Sequence, residues 1–193
     1  MSYGIPGSPE GHISGVDLEM EKYSQKYKYH ADINLGTFNI IDLEQGYVNY
    51  KHKEFEKNVP YPSVILNQEL LYFKAIASNE RLRLGSQYQR RKFFAGGFYW
   101  TPDTREINFA IFSLYERRMF DWAAQASLRS EFLMVDPKAG SHRLSNMKSS
   151  EVIRRYFSSL SAAFQISKNW SDLETSISTM LTGKAPQIEE LYS

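Results

Sequence analysis

Residues 106–127 read EINFAIFSLYERRMFDWAAQAS, and they contain the clearest change of residue spacing in the chain. From Glu106 to Phe112, apolar side chains alternate with the two-residue period of a β-strand. From Ser113 the spacing becomes helical, because Ser113 and Glu116 lie three apart as in a capping box. The apolar stripe that follows, at intervals of three and four residues, consists of Tyr115, Met119, Trp122 and Ala126. The stretch therefore predicts a strand that runs directly into a capped amphipathic helix.

The preceding part of the chain is predicted to be rich in β-structure. Val64 to Ala77 shows strand alternation, and Ala31 to Leu43 and Gly46 to Tyr50 have the pattern of short strands interrupted by glycine. Arg81 to Lys92 alternates only weakly before Ala95-Gly96-Gly97. We expect a loop or a mobile hairpin there, ending in a glycine bend.

The C-terminal part of the chain is predicted to be helical. A helix capped by Ser149 or Ser150 is expected to extend to Phe164, since its apolar residues recur at intervals of three and four. Another helix, residues 171–181, begins with a second capping box and ends before Gly183, a residue type favoured just after helices.

These elements predict an α+β fold: a β-sandwich or rolled antiparallel sheet with flanking helices and a helical C-terminal part. Residues 1–16 are rich in Gly, Pro and Ser, so we expect a flexible N-terminal arm. Residues 17–183 are expected to form a single domain, and residues 184–193 a C-terminal tail.

Composition excludes several classes of protein. The formal net charge is +1, so no global field draws the chain to nucleic acid or an acidic surface. The sequence contains no cysteine, which excludes disulfides and thiolate chemistry. No segment approaches the ~20 consecutive apolar residues of a membrane-spanning helix, and residues 1–9 have neither the basic start nor the apolar run of a signal sequence. We therefore expect no membrane association.

Candidate catalytic and metal-binding patterns are weak. The four histidines, His12, His30, His52 and His142, do not have the helical spacing of a zinc hydrolase. No nucleophile elbow, phosphate-binding loop or dinucleotide fingerprint is present. We expect no catalytic residue, no cofactor and no bound metal, and hence no enzyme.

One local basic patch is a candidate interaction site. It consists of Arg81, Arg83, Arg90, Arg91 and Lys92, and it lies beside the aromatic residues Phe93, Phe94, Phe98, Tyr99 and Trp100. Basic and aromatic side chains together can hold phosphates and stack bases. The patch is therefore a candidate interface between subunits or, alternatively, part of a nucleic-acid-binding module formed by residues 81–100.

Residues 70–125 resemble the tail-tube proteins of contractile-tailed bacteriophages and their baseplate relatives. The similar features, in order, are Phe73-x-Ala75-x-Ala77, Ala95-Gly96, the strand Ile107 to Phe112, and Arg118-x-Phe120-Asp121-Trp122. The resemblance implies a β-sandwich with a flanking helix, assembled as stacked hexameric rings around a channel that passes DNA.

The resemblance also implies a function. We expect a structural assembly protein of the virion, forming homo-oligomers and binding other virion structural proteins of the phage tail. It would be made in the host cytoplasm. In such an assembly, the basic segment 81–92 would contact neighbouring subunits or rings.

Overall fold

The computed structural model describes residues 16–56, 59–97, 101–138, 150–186 and 188–192. In this part of the chain, eight strands form one antiparallel sheet whose spatial order is the order of the sequence. The strands are β1 (Val16–Leu35), β2 (Phe38–Glu56), β3 (Val64–Ser78), β4 (Leu82–Gly97), β5 (Thr104–Met119), β6 (Trp122–Pro137), β7 (Arg155–Trp170) and β8 (Leu173–Thr182). One helix, α1 (Ile188–Tyr192), follows β8. No helix among the described residues is long and apolar enough to cross a membrane.

The connections differ in length between the two ends of the sheet. At one end, called the tight-turn end, the strands are joined by residues 36–37, 79–81, 120–121 and 171–172. Gly36, Phe120 and Ser171 have positive φ in these turns, as the turns favoured in β-hairpins require. At the other end, called the long-connection end, the connecting segments are residues 57–63, 98–103 and 138–154.

Few apolar side chains are buried, because no second sheet covers either face of the described sheet. Among the described residues, one buried apolar cluster is formed where α1 packs on β6: Ile188 contacts Leu133 and Val135, with Phe93 and Phe157 beside them. Ile188 and Val135 are fully buried. The core thus occupies one place on one face, near the long-connection end.

The predicted α+β fold with flanking helices is wrong, because the described chain is nearly all β-structure. The strand predicted from Glu106 to Phe112 is confirmed, but it continues to Met119, and no helix begins at Ser113. Ser113 instead lies opposite Leu84 and Leu128 in the sheet.

The two-residue turn between β5 and β6 explains this error. Tyr115 and Met119 are odd-numbered residues of β5, and Trp122 and Ala126 are even-numbered residues of β6, yet the register places all four on the same face of the sheet. Because the turn contains two residues, the odd-numbered residues of β5 and the even-numbered residues of β6 point to the same side of the sheet. The resulting spacing of four, three and four imitates a helix.

The predicted C-terminal helices are also strands. Residues 155–170 form β7 and residues 173–182 form β8, so that the predicted capping box at residues 171–174 is divided between the hairpin turn, 171–172, and the start of β8. The apolar residues Leu173, Ile177 and Leu181 are four apart, a spacing that fits one face of a strand as well as one face of a helix. Threonine at the positions between them favours the strand.

The remaining predictions have mixed outcomes. The strand predicted from Val64 to Ala77 is confirmed as β3. Arg81 to Lys92 is wrong as a loop, because it belongs largely to β4. The predicted arm, residues 1–16, lies outside the described residues except for Val16, which begins β1.

Candidate functional site

The sheet register assigns every strand residue to one of two faces, because directly opposed residues and residues two apart share a face. One face carries the odd-numbered residues of β2, β3, β5 and β8 and the even-numbered residues of β4, β6 and β7. In β1 the odd-numbered residues lie on this face as far as the register shift after Asp32. We call it the apolar face, and the opposite side the polar face.

The apolar face exposes large hydrophobic side chains across most of its width. One row of directly opposed residues places Phe73, Tyr88, Phe109 and Phe132 side by side on β3 to β6. Phe109 is 46% exposed, Ile111 54% and Leu160 56%. Monomeric soluble proteins rarely expose contiguous apolar patches of this extent, so this face is suited to an apolar environment.

Charged residues bound the hydrophobic part of this face on both sides. In β5 they are Arg105 and Arg117, with the nine uncharged residues 107–115 between them; around β7 they are Arg154 and Lys168, with the uncharged residues 156–166 between them. We call the uncharged zone between them the apolar band. A strand that crosses the hydrocarbon core of a membrane needs about 9–11 residues when it is tilted. The band therefore has the width of a lipid bilayer core.

Aromatic side chains mark the border of the apolar band near the tight-turn end. Trp122 is 44% exposed and Trp170 is 53% exposed. The Lys168 ammonium lies 5.0 Å from the Trp122 ring centroid and 3.5 Å from that of Trp170. Tryptophan and tyrosine are enriched where a protein meets the interface between lipid and water.

The polar face carries paired charges at the height of the apolar band. Arg91 and Glu106 lie opposite each other in β4 and β5 and form an ion pair of 2.6 Å with little exposure, 24% and 13%. Glu131 forms an ion pair with Arg129 at 2.8 Å and accepts a hydrogen bond from Asn108 at 2.6 Å. These side chains border a polar cavity of about 450 Å³ that also touches residues 182–186.

The same face is charged in β1 and β2. The Lys26 ammonium, 2.8 Å from the Glu44 carboxylate, lowers the pKa of that carboxyl through a hydrogen bond. His30 lies 2.7 Å from Asp42, and this hydrogen bond raises the pKa of the imidazole. The polar face therefore offers charged and hydrogen-bonding groups across its width.

The five basic residues predicted as one patch are divided by the sheet. Arg81 lies in the turn before β4, Arg83 and Arg91 lie on the polar face, and Arg90 and Lys92 lie on the apolar face. Arg91 pairs with Glu106, and Lys92 pairs with Glu69 at 2.8 Å. The five residues do not form one surface, because alternate residues of a strand point to opposite sides.

The sequence did not reveal the division into two faces. The alternation within each strand separates its residues into two faces, but the faces of different strands can be matched only when the hairpin turns are known.

Of the four histidines, His12 and His142 lie outside the described residues, and no group of three metal-binding side chains occurs in the described part of the chain.

Comparison of the chain with protein-family models and with curated proteins finds no match.

Proposed function

We propose that this sheet spans a membrane, with its apolar face against lipid and its polar face lining an aqueous passage for polar solutes. The observation that carries the proposal is the inverted burial of β5 to β7. Apolar residues such as Phe109 and Leu160 are exposed, whereas polar-face residues such as Glu106 and Arg129 are half-buried. A water-soluble sheet would place its apolar face inward.

The charges of the polar face support this assignment of the two media. Arg129 and Glu131 lie on β6 at the height of the apolar band, and a charged side chain in hydrocarbon costs roughly 2.5–3.5 kcal/mol or more. That face must therefore contact water. The apolar face carries Phe109 and Phe132 at the same height, and burial in lipid stabilises them.

The two edges of the sheet must also be satisfied in a membrane. Among the described strands, β1 and β8 each pair on one side only. Unpaired backbone amides and carbonyls cost several kcal/mol each in hydrocarbon. Further strands, from a second copy or from another segment, would therefore complete the sheet around the passage.

Reconstitution tests this function. The purified chain, folded into phosphatidylcholine vesicles and fused with a planar bilayer, is expected to give stepwise ion conductance. An Ile111→Arg variant, altered in the middle of the apolar band, is expected to give far fewer conducting insertions than Met119→Arg, altered just beyond its border. Conductance that never rises above that of protein-free bilayers, although the chain is bound to the membrane, would contradict the proposal.

A virion assembly protein of the tail-tube type is the second candidate. The two free edges favour it, because edge strands pair with other copies. This candidate predicts rings in aqueous buffer without lipid or detergent, visible by negative-stain microscopy. The nucleic-acid alternative predicts salt-dependent binding that is weakened by replacing Arg90 and Arg91 together, although these two residues lie on opposite faces.

A further inference from the structure

A row of paired charges crosses the apolar face just beyond the apolar band, toward the long-connection end. In this row Glu69, Lys92, Arg105 and Asp136 lie directly opposite one another on β3 to β6. Lys92 binds Glu69 at 2.8 Å, and Asp136 accepts hydrogen bonds from Arg105 at 3.0 Å and from Arg154 at 2.8 Å. Its carboxylates are therefore already neutralised by neighbouring cations.

Arg90 differs from the four paired residues of this row. It lies in the next row toward the centre of the band, between Leu71 on β3 and Ile107 on β5. Its side chain is half-buried, and its guanidinium has no hydrogen-bond or ion-pair partner among the residues that the structure describes. A half-buried cation without a counter-ion is costly, so this position is suited to an external anion.

A cavity adjoins this arginine. It has a volume of about 530 Å³, and its lining includes Arg90, Lys92, Arg105 and the exposed ring of Phe94. The lining also includes three carboxylates: Glu69 and Asp136, held by the ion pairs described above, and Asp103, which interacts with Lys138, a fourth cation of the lining. The charge left over for a ligand is therefore positive.

We propose that Arg90, with Lys92 and Arg105 beside it, binds the phosphate of an anionic membrane lipid in this cavity. The inference rests on the proposed membrane insertion, which places the border of the apolar band at the level of the lipid headgroups. A guanidinium there can extend its charged end toward the headgroups while its methylene groups stay among apolar side chains. Arginine also matches the geometry of phosphate by bidentate hydrogen bonding.

A lipid-selectivity experiment tests the proposal on the full chain. Because the sequence has no cysteine, Ser86→Cys provides a single labelling site on the apolar face of β4, four residues from Arg90. Quenching of a fluorescent label at this site is measured in two mixtures of phosphatidylglycerol and phosphatidylcholine with equal mole fractions of brominated lipid. In one mixture the phosphatidylglycerol is brominated, and in the other the phosphatidylcholine. A single arginine near an anionic surface is expected to give about fivefold preference for the anionic lipid.

The variants separate the roles of charge and fold. Arg90→Gln is expected to reduce the preference to about that of bulk lipid, and Arg90→Lys to retain most of it. The matched control is Arg117→Gln, on the same face but near the tight-turn end, which is expected to leave the preference unchanged. Far-UV circular dichroism identifies any variant that fails to fold.

Two results would overturn the inference. Equal quenching by both lipids, or a preference that survives in folded Arg90→Gln, would show that Arg90 binds no anionic lipid while leaving membrane insertion intact. Absence of quenching by either lipid would refute membrane insertion as well, and with it the proposed function.

Discussion

Replacement of Ile111 by arginine distinguishes a lipid-facing surface from an exposed surface in water. Ile111 lies at the centre of the nine-residue uncharged segment of β5, between Ser86 and Ser130, and is 54% exposed. In water, such a surface substitution changes the free energy of unfolding by no more than about 0.5 kcal/mol. At the midplane of a bilayer, arginine on a lipid-facing strand costs about 2–4 kcal/mol.

The control is Met119→Arg on the same strand and the same face. Met119 is 48% exposed, close to the value for Ile111, but it lies just beyond the border of the apolar band, at the end of β5. The expected cost there falls to about 0–1 kcal/mol. Exposure is thus nearly matched, and depth is the variable that differs.

Urea unfolding in phosphatidylcholine vesicles, followed by tryptophan fluorescence, measures both variants. The loss of about 2–4 kcal/mol expected for Ile111→Arg relative to the parent protein corresponds to a decrease of roughly 30-fold to 900-fold in the folding equilibrium constant. Equal stabilities for Ile111→Arg and Met119→Arg, both within about 0.5 kcal/mol of the parent protein, would refute the assignment of this face to lipid.

Three other predictions address the polar face. Ile188→Ala, at the fully buried contact of α1 with Val135, is expected to weaken helix docking by about 2–5 kcal/mol and to speed hydrogen exchange in residues 188–192. The control Ile153→Ala, at a 53% exposed position, is expected to leave that exchange unchanged. Equal exchange rates in the two variants would contradict the packing of α1 on β6. His30 is expected to titrate above the ordinary histidine pKa of about 6.5, because its imidazole is hydrogen-bonded to Asp42. This hydrogen bond stabilises the fold fully below the ordinary pKa, and the stabilisation is lost as the pH rises through the raised pKa. An NMR titration in which Asp42→Asn leaves the His30 pKa unchanged would refute this cause. Glu106→Gln leaves the Arg91 charge unbalanced on the polar face, so reversal potentials in planar bilayers are expected to shift toward anion selectivity. The control Glu69→Gln, on the apolar face, is expected not to shift them.

The sequence predicts the strands whose alternation runs without ambiguity, and it misleads where spacing fits two structures. Val64 to Ala77 is predicted correctly because the small and apolar residues at 71, 73, 75 and 77 alternate with Tyr72, Lys74 and Ile76. The series Leu173, Ile177 and Leu181 is misread because intervals of four suit both helix and strand. The hairpin at Phe120 and Asp121 adds a second source of error, since a two-residue turn produces a helix-like interval of three.

The candidate site is less predictable for a related reason. Arg90 and Arg91 are neighbours in sequence and appear as one basic patch, but β4 directs them to opposite faces. Their partners, or the absence of one among the described residues, depend on the register with β3 and β5, where Arg91 meets Glu106 and Arg90 meets Ile107. That register is a tertiary property which local composition does not reveal.

The central claim is that the two faces of one sheet meet different media, and a cysteine scan of β7 tests it most directly. Residues 158–163 read SSLSAA, so single cysteines replace mostly small side chains in a chain that has no other cysteine. In vesicles, labels at 158, 160 and 162 are expected to be quenched by brominated lipid, and labels at 159, 161 and 163 by aqueous iodide. Six labels with equal access to both quenchers, or with the alternation reversed, would contradict the account.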